Sequence, residues 1–151
     1  MQITAFDLAQ RFIGTKEVAG TASNPAVLAM LRLEDGTVQD DATAWCSAFV
    51  NYVAWLLRLP RSKSLAARSW LQVGTPIALE EARPGYDVVV LSRGTGAQPG
   101  PNVIAAPGHV GFFAGLDGLH VLLLAGNQGD AVNIASFDRT RVLGVRRLYA
   151  E

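Results

Sequence analysis

Cys46, His109, His120 and Asn127 are side chains of the types that together break amide bonds by a thiol mechanism. A thiol attacks a carbonyl only as thiolate, so it needs a base, and the base needs a third group to hold it in the right orientation. Cys46 is the single cysteine among 151 residues, which rules out an internal disulfide. A C-x-x-C pair and a Cys/His cluster at metal-ligand spacing are both absent, so the sequence calls for no structural metal and no cofactor.

Position decides whether Cys46 is a nucleophile or a core filler, because free cysteines are commonly buried. It sits in TAWCSAFVNYVAWLL, residues 43–57. With Thr43 or Asp41 as cap, Ala44, Trp45 and Cys46 become the first three helical residues, and the sulfur lies among unsatisfied N–H groups at the positive end of the dipole. That setting favours thiolate, although Asp40 and Asp41 would oppose it if they pointed at the sulfur. Phe49, Val50, Val53, Trp55, Leu56 and Leu57 then form a helix sandwiched in the core, with only its first turn reaching the surface.

The choice of base follows from hairpin geometry. A three-residue turn at Leu116-Asp117-Gly118 would set Ala125 opposite His109 and place Asn127 diagonally on the same face. His120 would pair near Ala114, ~17 Å away along the strand and on the other face, which makes it a bystander. This register nominates Cys46, His109 and Asn127. Strict alternation puts Gln128 on the face opposite Asn127 unless the strand bends there.

Positioning these residues takes helices first and strands afterwards. Thr4 caps a helix reaching about Phe12 and closed by Gly14; Asn24-Pro25 opens another that stops near Asp35-Gly36; a short fourth helix covers residues 65–72. Segments 86–93, 109–115, 119–127, 131–137 and 142–149 read as strands joined by turns too short for parallel crossovers. The expectation is one α+β domain over residues 1–151, with N-terminal helices, the cysteine-bearing one central, packed on a C-terminal antiparallel meander. The Gly- and Pro-rich loop 94–108 leads into His109 and borders a cleft; without a following helix, GTGAQPGPN is a flexible loop and not a phosphate cradle.

Thirteen basic residues balance thirteen acidic ones, so no global field draws in nucleic acid or an anionic membrane, and Arg139, Arg141, Arg146 and Arg147 read as a solvated strand face. No apolar run reaches the ~18–20 residues of a membrane span, and MQITAFDLAQRF lacks the pattern of an export signal.

The blocks GTKEVAGTASNP (14–25), DATAWCSAFVN (41–51), ARSWL (67–71), GHVGFF (108–113) and GNQGDAV (126–132) together resemble the papain-like cysteine peptidoglycan hydrolases of the CHAP and NlpC type. They are most similar to small single-domain phage and bacterial proteins with the same ordered pattern. The resemblance implies a papain-like α+β fold and cleavage of an amide bond in peptidoglycan, either between muramic acid and L-alanine or within the stem peptide. Cys46 would be the nucleophile, His109 the base and Asn127 the third member. CHAP domains usually carry Glu two residues before their Asn, where this chain has Ala125. Asp41, Glu17, Gln128 and Trp45 would support the site or contact substrate, with helix capping the favoured role for Asp41, a loop hydrogen bond equally open for Glu17, and a core position favoured for Trp45 and Trp70.

That reading expects bacterial peptidoglycan as partner, a monomer, and no nucleic acid or stable membrane insertion. It expects synthesis in the cytoplasm without a signal peptide, then action on the cell wall as a phage endolysin or a secreted antibacterial effector, the latter with an immunity protein. The alternatives are a protein deamidase or acyltransferase with the same triad, and a non-catalytic module that binds cell-wall peptides.

Overall fold

The structure, a computed structural model, describes residues 1–18 and 23–149. Residues 19–22 of the N-terminal motif block and the last two residues lie outside the described residues. Three helices precede the main sheet: α1 (Ala5–Gln10), α2 (Pro25–Glu34) and α3 (Cys46–Leu56). Thr4 and Asp7 form a reciprocal capping box on α1, and Asn24 caps α2 with Pro25 as its first residue, both as their side-chain chemistry dictates. The expected fourth helix is a 3-10 helix, Ala67–Gln72. No helix among the described residues is long and apolar enough to cross a membrane.

Six strands follow: β1 (Thr75–Ile77), β2 (Asp87–Ser92), β3 (Gly108–Asp117), β4 (His120–Gln128), β5 (Ala131–Asp138) and β6 (Val142–Arg147). They form one antiparallel sheet in the order β1-β6-β2-β3-β4-β5. The expected simple meander holds from β2 to β5; β6 then returns to the far side of β2, and the short β1 had no clear signal in the sequence. Both faces of the sheet are covered. Val88, Val90, Val110, Phe112 and Leu124 meet the helices, while Val89, Leu91, Phe113, Val121 and Leu123 form a second apolar layer with Val145. This explains why β2 is buried at every residue and shows no polar alternation.

The C-terminal arginines depart from the solvated face expected of them. Arg147 makes a two-pronged ion pair with the buried Asp87, at 2.8 Å for each contact, and Arg146 donates to the Leu71 carbonyl. Arg141 donates to the Ser92 carbonyl through both Nε and Nη2. Three of the four thus tie β6 and its approach to the rest of the fold.

Candidate active site

Cys46 is the first residue of α3, with Trp45 in the capping position and no side-chain cap. Neither Thr43 nor Asp41 caps this helix, so the thiol stands two residues closer to the helix start than expected. Asp41 is occupied elsewhere: its buried carboxylate accepts the backbone N–H groups of Val18 and Asn24. Those two bonds hold its pKa below the ordinary carboxylate value. Glu17 accepts a 2.7 Å hydrogen bond from the Trp45 indole, so the N-terminal loop is pinned directly beside the cysteine. Trp45 and Trp70 are both fully buried, and Trp70 donates to Ser47 Oγ.

Helix α3 approaches the sheet closely because of Gly126. A Cβ there would lie 2.6 Å from the Trp45 ring and 3.0 Å from Phe49 Cβ. The sulfur of Cys46 consequently faces the β3 backbone, where the Val110 N–H interacts with it one residue after His109. The thiol is 3% exposed, and burial raises its pKa. The N–H groups of Val110, Ser47 and Cys46 and the charge of Arg93 oppose that shift.

His109 is also buried, with its ring against Phe137 at a centroid distance of 5.3 Å. Its Nε2 lies 3.0 Å from Oε1 of Gln128. Asn127, the expected partner, makes no hydrogen bond to His109 among the described residues, for a reason rooted in strand geometry. Ala125 pairs with Asn133 and Gln128 with Ala131, so two residues of β4 oppose one of β5. Asn127 adopts a left-handed conformation, φ 58°, within this bulge. Gln128 therefore takes the face that unbroken alternation would have given to Asn127.

The hairpin register differs as well. The β3–β4 turn has two residues, Gly118-Leu119, between the paired Asp117 and His120, and a second bulge follows between Phe113 and Gly115. His120 is exposed at the hairpin tip, away from the site.

The Gln128 amide is fixed in orientation. Its Nε2 donates to the carbonyl of Asn133 at 2.8 Å and to the side-chain oxygen of Asn133 at 2.9 Å, while Asn133 Nδ2 donates back to the Gln128 carbonyl. With its nitrogen so engaged, Gln128 presents an oxygen to the imidazole, and His109 must carry its proton on Nε2. Nδ1 carries no proton in that tautomer. Burial is the main cause depressing the pKa of His109; Gln128 opposes it, and Arg93 and Arg141 add to it. Burial thus favours the uncharged form of each group.

The His109 imidazole opens onto a cleft of about 650 Å³, lined also by Arg93, Gln128, Asn133, Phe137 and Arg141. Among the described residues, no group of three or more His, Cys, Asp or Glu side chains is placed to hold a metal ion. The loop before His109 is held from beneath by Arg68, a fully buried guanidinium that donates to the carbonyls of Pro99, Gly100, Val103 and Pro107. The roles of Arg68, Asn133 and Gly126 were not read from the sequence, although all three lie in or beside the ARSWL and GNQGDAV blocks.

No protein-family model matches the sequence, and no curated protein matches it. The solved structure of NlpC1 from Trichomonas vaginalis is similar over 96% of this chain, with a TM-score of 0.56 and 16% sequence identity. The chain spans 43% of that structure's length. The fold is papain-like α+β, as the sequence motifs led us to expect.

Proposed function

We propose that the protein is a thiol-dependent hydrolase of amide bonds in peptidoglycan, with Cys46 as nucleophile and His109 as base. The observation that carries this reading is the placement of a buried thiol at the first residue of α3, facing β3 one residue from a histidine whose tautomer is fixed by Gln128. Gln128 takes the third place in the constellation, and Asn127 serves it by bending the strand.

In this mechanism His109 Nδ1 accepts the Cys46 proton as the sulfur attacks the scissile carbonyl. The imidazolium is stabilised by its Nε2–H bond to Gln128. The backbone N–H of Cys46 is available at the helix start to receive the developing oxyanion, a contribution worth about 3 kcal/mol for one well-placed donor. The imidazolium returns the proton to the leaving amine, and water then hydrolyses the thioester. The fold shared with NlpC1, together with the WCSAFVN, GHVGFF and GNQ motifs, supports peptidoglycan as the substrate.

The test is digestion of purified sacculi followed by mass spectrometry of the released fragments. New amine and carboxyl ends are expected with the native protein and none with Cys46→Ala. Retained lytic activity in Cys46→Ala would overturn the mechanism. Fragments with altered amides but no new ends would identify a deamidase or acyltransferase instead.

A further inference from the structure

The cleft at His109 carries two guanidinium groups and no carboxylate in its lining. Arg93 is exposed, and its guanidinium makes no hydrogen bond or ion pair with any described residue. Arg141 is held in place: Nε and Nη2 both donate to the Ser92 carbonyl, and the guanidinium lies over the Phe137 ring at 5.2 Å. Asp138 feels the charge of Arg141, but its carboxylate is engaged by the backbone N–H and hydroxyl of Thr140 and does not line the cleft.

Two cations beside a catalytic base are unfavourable in the empty site, because each disfavours the imidazolium on which turnover depends. An anion bound between them removes that penalty. The rigid, aromatic-backed Arg141 supplies direction, and the free Arg93 supplies a fork that can close on a carboxylate.

We propose that Arg93 and Arg141 form a carboxylate-binding subsite that selects acidic peptides, in which a residue next to the scissile amide bears a free carboxylate. The selection acts through binding and through the base: the substrate's charge seats it in the cleft and restores the proton affinity of His109. A peptide whose carboxylate is converted to a carboxamide loses both effects. The inference rests on the hydrolase reading for the position of the scissile bond, and on the cleft alone for the anion.

The experiment uses two synthetic stem-type peptides, identical except that a glutamyl carboxylate in one is a carboxamide in the other. The wild-type protein is expected to cleave the acid form at least about tenfold more efficiently. Arg93→Gln, which removes no hydrogen bond or ion pair among the described residues, should raise KM for the acid form and bring the two efficiencies together. Arg141→Lys, which keeps the charge but loses the two-donor anchor, should fall between. Equal cleavage of both peptides by the wild type would overturn the proposal. So would an Arg93→Gln variant that loses kcat equally on both peptides, since that result would make Arg93 a helper of the thiolate.

If neither peptide is cleaved, the hydrolase reading fails, and calorimetric binding to Cys46→Ala still decides the subsite. Tighter binding of the acid form, lost on adding Arg93→Gln, supports it; equal affinities for the two forms overturn it.

Discussion

The imidazole Nε2 of His109 and the amide Oε1 of Gln128 are 3.0 Å apart, and a left-handed Asn127 in the bulge near the end of β4 makes that contact possible. The two neighbours Asn127 and Gln128 thus have separable roles, one conformational and one chemical. Asn127→Gly keeps the positive φ and is expected to retain activity within about threefold. Gln128→Ala removes the group that sets the tautomer, and kcat/KM is expected to fall about 10- to 100-fold. Steady-state rates of the two variants on one peptide decide the assignment; the reverse ranking would return Asn127 to the third place.

The pH dependence of activity follows from the depressed pKa of His109. The base must be neutral to accept a proton, and burial, Arg93 and Arg141 hold its pKa below 6.5. The acid limb of kcat/KM should therefore have its midpoint below 6.5. Gln128→Glu puts a carboxylate against Nε2, favours the imidazolium, and should move the limb upward. A limb that ignores the substitution would mean that His109 is not the titrating base.

Stability should show a plateau bounded by the same two groups. Unfolded His109 takes up a proton near 6.5 while the folded form resists it, so stability falls as pH drops from there toward the lowered folded value. Unfolded Cys46 ionises near 9.0 while the buried thiol does not, so stability falls again as pH rises above that value. Urea midpoints measured across this range should be flat between the two pKa values. Cys46→Ala should abolish the alkaline decline and leave the acid one.

Much of this arrangement was legible in residue types. Asn24-Pro25 announced α2, a β-branched run announced β2, short turn signals separated the strands after it, and the lone thiol at the head of an apolar helix marked the candidate site. What escaped were features that depend on tertiary context. The bulge at Asn127 needs a positive φ inside a strand, which Asn tolerates but does not demand, and one extra residue there reverses which side chain meets His109. The start of α3 is set by the docking of Trp45 against Gly126 and Glu17, so the better cappers Thr43 and Asp41 are passed over. The arginines of β6 resemble surface charge because the buried Asp87 that receives Arg147 lies 60 residues away.

Gly126 is expected to be intolerant of even one methyl group. A Cβ at 2.6 Å from the Trp45 ring and 3.0 Å from Phe49 Cβ forces the first turn of α3 outward and carries Cys46 with it. Gly126→Ala should cost about 1–3 kcal/mol in urea unfolding and lower kcat/KM by more than tenfold. Gly36→Ala, where a Cβ meets nothing within 4 Å, serves as the control and should leave activity unchanged.

Arg68 supports the site by a different route. Its buried guanidinium has no carboxylate partner, and Nη2 has no hydrogen-bond partner among the described residues, so its charge is costly where it stands. Four loop carbonyls offset that cost. Replacing it with Met removes the buried charge and the donors together, and the carbonyls of the exposed Pro99, Gly100 and Val103 can turn to water instead. The global penalty should therefore be modest, about 1–3 kcal/mol. The local effect should be larger, because the loop that leads into His109 loses its anchor. Hydrogen exchange in residues 94–107 of Arg68→Met should accelerate well beyond the change in global stability, with a parallel fall in kcat; uniform exchange across the fold would assign Arg68 to general stability alone.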